Sequence, residues 1–236
     1  MIIEIIKTIF IIFVLLNLII VLLPIKPKLR FTLNTWKKFR IKMFFEIIGL
    51  IIITIVVFGF LYLFVPYLKY GWLNLFIKEG GTIAITPVIE ESKSPNFIIR
   101  IIPPVFFLIF LLAIPPLAKL EEEIYRKGFI KWKDISIQSV KFGFAHMIMG
   151  VPLAAAIALI ISGLFYGYKY RNTFISSIST YSAKADKCNK QFSDKPFFYA
   201  KMMSEDKAVT VSTTYHTLYN SILISGLLVL SIILIK

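Results

Sequence analysis

Three consecutive glutamates are the residues best placed to do chemistry, and they directly follow an apolar segment that is long enough to cross a membrane. Ionisable groups in or beside a bilayer are costly, so they usually mark functional positions. On a helix, Glu122 and Arg126 stand four residues apart and can form an ion pair. Glu121 lies about 100° further round the same helix, beside Tyr125, and is free to face another group. The stretch therefore predicts a functional carboxylate next to a structural ion pair.

The two histidines of the chain, His146 and His216, both occur in apolar helical context. Phe142 precedes the first by four residues and Asn220 follows the second by four, so on helices each pair shares a face. A carboxylate, two imidazoles and an amide at similar depth could hold a water molecule between a base and oxyanion donors. Taken singly, each motif is equally compatible with a solvated acidic face or with a hydrogen bond between helices.

Composition defines the setting of these residues. The 236-residue chain is 58% hydrophobic, which leaves room for about six apolar segments of roughly 20 residues. We predict an all-α, polytopic membrane protein with about six transmembrane helices around an intramembrane polar cavity. The net charge of +14 could attract nucleic acid, but the basic residues cluster beside apolar segments. We expect membrane lipid as a partner and no nucleic acid.

The six predicted spans cover residues 2–23, 43–66, 97–117, 135–150, 153–168 and 209–235. Residues 24–42 carry seven basic side chains and no acidic one, so the positive-inside rule places them in the cytoplasm. The glutamate motif then falls on the cytoplasmic side as well. These features predict a multi-pass protein of the cell membrane whose active site faces the cytoplasm.

Three further features refine this topology. Two proline pairs, Pro103 with Pro104 and Pro115 with Pro116, are expected to kink or divide the third span. Gly163 in the fifth span, with neighbouring small residues, predicts close helix packing. The polar residues 169–209 are expected to form a long cytoplasmic excursion, since loops of that length are functional or disordered.

The three motifs together resemble those of a known family. Glu121-Glu122-x-x-x-Arg126, Phe142-x-x-x-His146 and His216-x-x-x-Asn220 are similar to the signatures of the CPBP (ABI) intramembrane proteases. That family includes type II CAAX prenyl endopeptidases and bacteriocin self-immunity proteins. The resemblance covers residues 105–228. It implies an N-terminal two-span accessory region at 1–97 and a protease core at 98–236 with a polar insertion at about 173–209.

The resemblance also implies roles for the site residues. Glu121 would activate the attacking water together with His146, while His216 and Asn220 would stabilise the oxyanion. Glu122 and Arg126 would orient the helix, with Glu122 also able to assist catalysis. Phe142 and Tyr125 would support the site.

Metal use is left open by the resemblance, because the family has been described both as metalloproteases and as glutamate proteases. Glu121, His146 and His216 are of the residue types that coordinate zinc. The chain has no HExxH motif, and its single cysteine, Cys188, cannot build a thiolate site. We therefore expect no cofactor, with zinc as the alternative.

The expected function is that of an intramembrane endopeptidase. Its substrate would be a membrane-associated peptide or lipidated protein, including a prenylated CAAX-type protein. The alternative is a non-enzymatic membrane protein, such as a bacteriocin immunity factor or a component of an ion- or proton-coupled transporter. The requirement for His146 and His216 in product formation separates the two. Against transport, the sequence has no paired broken helices in two matching halves.

Overall fold

All regular elements in the described part of the chain are helices. The computed structural model describes residue 16 and residues 20–71, 97–187 and 196–234. Four of its helices contain a segment that is long and apolar enough to cross a membrane. The all-α prediction is confirmed, and a multi-pass membrane protein is supported. Of the six predicted spans, the first, residues 2–23, lies almost entirely outside the described residues.

Six α-helices form the described fold, and short 3-10 turns follow the second and the fourth. Their bounds are α1 Ile25–Trp36, α2 Ile41–Phe64, α3 Phe97–Tyr125, α4 Trp132–Ala145, α5 Leu153–Lys187 and α6 Pro196–Leu234. The candidate spans lie in α2, α3, α5 and α6. The predicted fourth span corresponds to α4, whose 14 residues reach only about 21 Å. By itself α4 is therefore too short for a hydrocarbon core of about 30 Å.

Helix α3 is continuous although four prolines lie inside it. The sequence predicted a kink or a division, because Pro116 has no N–H to donate to the carbonyl of Leu112. In the structure the Thr32 hydroxyl of α1 donates to that carbonyl at 3.0 Å. A hydroxyl from a neighbouring helix thus satisfies a backbone group that proline has freed, and it docks α1 on α3.

This docking bond predicts different effects for two threonines one turn apart. Thr32→Val removes the donor to a carbonyl that has no helical N–H, and we expect the free energy of unfolding to fall by about 1–3 kcal/mol. Thr35 is equally buried, but its hydroxyl donates to Phe31 within its own helix. Thr35→Val should therefore cost much less. Thermal unfolding in detergent checks this, and equal losses in both variants would contradict the docking role.

Helices α4 and α5 pack closely at three glycines. A Cβ atom on Gly163 would lie 3.1 Å from Ser139, and one on Gly167 would lie 2.5 Å from the Ile135 side chain. A Cβ atom on Gly143 would collide with the carbonyl oxygen of Ala156. The close approach predicted for the fifth span is confirmed, and it holds α4 firmly in register with α5.

The tightest of these contacts supports a stability prediction. Gly143→Ala forces α4 and α5 apart, so we expect unfolding to become easier by about 1–3 kcal/mol despite the better helix propensity of alanine. A Cβ atom added to Gly59 on α2 would meet nothing within 4 Å, so Gly59→Ala is the matched control. Melting temperatures in the same detergent compare the two. A melting temperature that is unchanged in Gly143→Ala would refute the close packing.

The polar residues 169–209 are not a loop, and this corrects the sequence expectation. Helix α5 continues to Lys187 and α6 begins at Pro196, so the segment forms two helical arms, while residues 188–195, including Cys188, lie outside the described residues. The buried face of the arms contains small residues, namely Ser177, Ala200, Ser204 and Ala208. Small residues let helices pack closely, and the large side chains of Tyr170, Phe174 and Val209 form an apolar cluster on the same arms.

Candidate active site

The glutamate motif occupies the last turn of α3, which Gly128 follows with a φ of 85° that favours glycine. The side chains of Glu122 and Arg126 are each 1% exposed, and Nε of the arginine lies 3.7 Å from Oε2 of the glutamate. The guanidinium also donates from Nη1 to the carbonyl of Tyr125 at 3.1 Å. The predicted ion pair at four-residue spacing is confirmed, and it is buried.

His216 of α6 lies between two neighbouring glutamates of α3. Its Nδ1 is 3.0 Å from Oε1 of Glu122, and its Nε2 is 3.7 Å from Oε2 of Glu121. A carboxylate only accepts hydrogen bonds, so Nδ1 carries the proton and donates to Glu122. In the neutral ring Nε2 is then an acceptor, and its separation from Glu121 is longer than a direct hydrogen bond.

Exposure distinguishes the two glutamates. The Glu121 side chain is 33% exposed, whereas the Glu122 side chain is 1% exposed. Solvent can therefore reach part of the first side chain, although its Oε2 is buried. The second is enclosed between a histidine and an arginine. The roles expected for the two residues, with Glu121 activating water and Glu122 orienting the helix or assisting catalysis, stay predictions.

The ring of Phe142, from α4, is the common contact of the three motifs. Five groups surround it, namely the rings of His146 at 4.7 Å, His216 at 5.5 Å, Tyr125 at 5.6 Å and Tyr166 at 6.2 Å, and the guanidinium carbon of Arg126 at 5.0 Å. The ring itself is buried. The structure thus brings residues of α3, α4 and α6 together around a phenylalanine for which the sequence predicted only a supporting role.

His146 follows the last residue of α4 and begins a 3-10 turn, rather than lying within a longer helix as predicted. Its Nδ1 is 2.8 Å from the carbonyl oxygen of Phe142, so this nitrogen donates and Nε2 is the acceptor of the neutral ring. Within the described ranges, neither a hydrogen bond nor an ion pair joins His146 to Glu121. The predicted cooperation of these two residues therefore has no direct contact in this conformation.

Asn220 lies one turn beyond His216 on α6 and is partly exposed. Its amide makes no hydrogen bond to any residue that the structure describes, so both of its N–H donors can serve a ligand. The adjacent part of α6 contributes Thr213 and Thr217, whose buried hydroxyls also lack a partner among the described residues. Sequence reasoning did not single out either threonine.

Further buried polar atoms without a hydrogen-bond partner in the described ranges lie on α3. They are Oε2 of Glu121, Oε2 of Glu122, and Nε and Nη2 of Arg126. Buried polar groups in proteins are nearly always paired with protein or ordered water. The facing parts of α3 and α6 can therefore take up water or the polar backbone of a substrate.

Tyr166 of α5 is a second residue that the sequence did not reveal. Its ring stacks on His216 with centroids 4.6 Å apart and planes inclined by 17°. Together with Phe142, which meets His216 edge to face, it fixes the orientation of the imidazole. The residue lies between Gly163 and Gly167, so the sequence predicted packing there and gave no sign of a contact with the site.

A second polar cluster joins α2, α5 and α6. The Lys169 ammonium lies 2.8 Å from Oε2 of Glu46, and the Tyr215 hydroxyl donates to the same oxygen at 2.6 Å. The cluster holds α6 through the residue next to His216, so it ties the N-terminal region to the candidate site. A lone carboxylate near the start of an apolar span is the sequence signal that could have predicted it.

The residues of the zinc alternative are brought together only in part, and zinc use stays a prediction. Glu121 and His216 face each other, whereas in the described ranges no hydrogen bond or ion pair joins His146 to either of them. In the ranges that the structure covers, no group of three or more histidine, cysteine, aspartate or glutamate side chains could hold a metal ion.

Comparison with known proteins adds no relative. No family model, no curated protein and no solved structure matches the chain. The resemblance to the CPBP proteases therefore depends on the three sequence motifs alone.

Proposed function

We propose that the chain is an intramembrane endopeptidase that cleaves a membrane-associated peptide or lipidated protein, with a prenylated CAAX-type protein as the first candidate substrate. The observation that supports this proposal best is the placement of His216 between Glu121 and Glu122. One carboxylate fixes the ring. The other turns its buried Oε2, which has no hydrogen-bond partner among the described residues, towards the acceptor nitrogen. Such a pair can bind and deprotonate a water molecule.

In the proposed reaction, a water molecule donates one hydrogen bond to Glu121 and the other to Nε2 of His216. Glu121 takes a proton as the water oxygen attacks the carbonyl carbon of the scissile bond, and the carbonyl electron pair moves to its oxygen. The free amide of Asn220 donates to this oxyanion. When the C–N bond breaks, the proton passes from Glu121 to the leaving amine, so the carboxylate is regenerated.

This scheme changes one role that the family resemblance implies. The resemblance implies that His216 stabilises the oxyanion. That role requires a hydrogen-bond donor. Since Nδ1 holds the ring proton against Glu122, the neutral ring presents an acceptor at Nε2 and suits contact with the attacking water. Glu122 is then a positioning residue, because it sets the tautomer of His216 without touching the reacting atoms.

The membrane setting favours a substrate that is itself held in the bilayer. Four helices are long and apolar enough to span it, and the candidate site lies at the end of one of them, next to basic residues such as Lys127 and Lys131. By the positive-inside rule these residues face the cytoplasm. A lipidated substrate could then approach sideways while water enters from the cytoplasmic end.

Cleavage of a matched pair of quenched peptides tests the proposal. One peptide carries a prenylated CAAX cysteine and the other the free cysteine, and the chain is reconstituted in vesicles. We expect release of the C-terminal tripeptide from the prenylated peptide at least tenfold faster. His216→Phe keeps the aromatic contacts but removes both nitrogens, and it should lower the rate about 100-fold.

Tyr219→Phe is the matched control, because Tyr219 is buried one turn away on the same helix and also contacts Tyr166. Its rate should stay within twofold of the wild-type rate. Full activity of His216→Phe would overturn the proposed mechanism. Absence of product from both peptides with the wild-type chain would favour the non-enzymatic alternative.

A further inference from the structure

A groove between α1 and α3 is separate from the candidate active site. It has a volume of about 390 Å³, within the range of roughly 300–1,000 Å³ that is common for small-molecule pockets. Its walls are mostly apolar and include Leu23, Pro116 and Leu120, and its charged lining residues are Lys28, Lys119 and Glu123. The groove therefore combines an apolar wall with a small set of charges.

One of the charged side chains in the groove, that of Lys28, has no ion-pair partner among the described residues. Lys119 lies 3.5 Å from Glu123 and 5.5 Å from the ring centre of Phe31. Lys28 forms no ion pair with any residue in the described ranges, and the same helix carries the exposed Lys26 and Arg30. The groove thus favours a ligand with a negative charge.

Helix α1, which forms one wall of this groove, is too short to be a membrane span. With 12 residues the helix reaches about 18 Å, so it cannot cross the bilayer. It connects the predicted first span to α2, and Lys119 on α3 is 47% exposed. The bond from Thr32 to the Leu112 carbonyl fixes the two walls against each other. Because Lys28 and Lys119 line the groove, we expect it to open near the lipid headgroups.

We propose that this groove binds one anionic phospholipid with a hydroxyl-bearing headgroup, of which phosphatidylglycerol is the test case. The phosphate pairs with Lys28, and an acyl chain lies along Pro116 and Leu120. A headgroup hydroxyl donates a hydrogen bond to the Glu123 carboxylate. This contact explains why a groove that binds an anionic lipid also contains an acidic residue. The lipid would fasten α1 to α3 at a site that the proposed catalytic residues do not share.

Lipid retention by the purified full chain tests this proposal. The protein is titrated in detergent with phosphatidylglycerol or phosphatidylcholine, and bound lipid is counted by native mass spectrometry. We expect one phosphatidylglycerol per chain, retained at least tenfold more strongly than phosphatidylcholine. Lys28→Gln should weaken its binding about fivefold, the usual contribution of one lysine at an anionic surface.

Two further variants separate a defined site from diffuse attraction. Lys26 is exposed, lies on the same helix and is absent from the lining of the groove, so Lys26→Gln should leave the retained lipid within twofold. Leu120→Trp fills the groove without changing its charge and should abolish retention. The proposal would be overturned if Lys26→Gln and Lys28→Gln lost equal amounts of bound lipid, or if phosphatidylcholine were retained as strongly as phosphatidylglycerol. Displacement of the bound lipid by millimolar inorganic phosphate would also overturn it.

Discussion

Replacing Glu121 by glutamine is expected to lower peptide hydrolysis about 1,000-fold, within the range that a positioned acid or base contributes. The amide keeps the size of the side chain but cannot take a proton from water. Because Glu121 is partly exposed and its hydrogen-bond acceptor Oε2 has no partner in the described residues, the substitution should cost little stability. The rate of tripeptide release from the prenylated peptide, measured beside the melting temperature, separates lost chemistry from lost folding.

The matched control for this variant is Glu205→Gln. Glu205 lies on the arm of α6 outside the site, where it pairs with Lys201 at 3.9 Å. Its replacement should leave the cleavage rate within twofold. If Glu121→Gln retained more than a tenth of the wild-type rate while staying folded, Glu121 would not be the base.

Removal of the Glu122 side chain is expected to produce the largest loss of stability. Glu122→Ala leaves the Arg126 guanidinium, which is 1% exposed, buried without its carboxylate, and it removes the acceptor of His216. Breaking a buried ion pair from one side typically costs about 3–5 kcal/mol. We expect a correspondingly lower melting temperature in detergent and no cleavage activity.

Two variants show whether the unpaired, buried charge of Arg126 causes the loss of stability in Glu122→Ala. Glu123→Ala, on the next residue, removes an exposed partner of Lys119 and should cost less than about 1 kcal/mol. The double variant Glu122→Leu with Arg126→Met removes both charges and should recover much of the stability, though not the activity. A double variant as unstable as Glu122→Ala would contradict this explanation.

The parts of the site that could be predicted from the sequence are those that a single helix determines. Glu122 pairs with Arg126, and Phe142 contacts His146, because residues four apart on a helix are neighbours. The approach of α4 to Gly163 and Gly167 followed from the small size of glycine. These inferences need no knowledge of how the helices are rotated against one another.

Contacts between helices could not be predicted, because they depend on that rotation. The sequence does not show that Glu122, rather than Glu121, is the closer partner of His216, or that Tyr166 stacks on the same ring. The hydrogen bond from Thr32 to the backbone of α3 was likewise hidden, since its donor lies on another helix. The polar arms of α5 and α6 were mistaken for a loop because small residues and only a few large apolar ones, such as Phe174, form their buried face.

The central claim is that a water molecule activated beside Glu121 and His216 cleaves a peptide bond. Its most direct test is cleavage of the prenylated peptide in ¹⁸O-labelled water, with mass spectrometry of the products after a single turnover. We predict one ¹⁸O atom in the new carboxylate of the N-terminal product with the wild-type chain, and product formation about 1,000-fold slower with Glu121→Gln. Unlabelled product from the wild-type chain, or labelled product at the wild-type rate from Glu121→Gln, would contradict the claim.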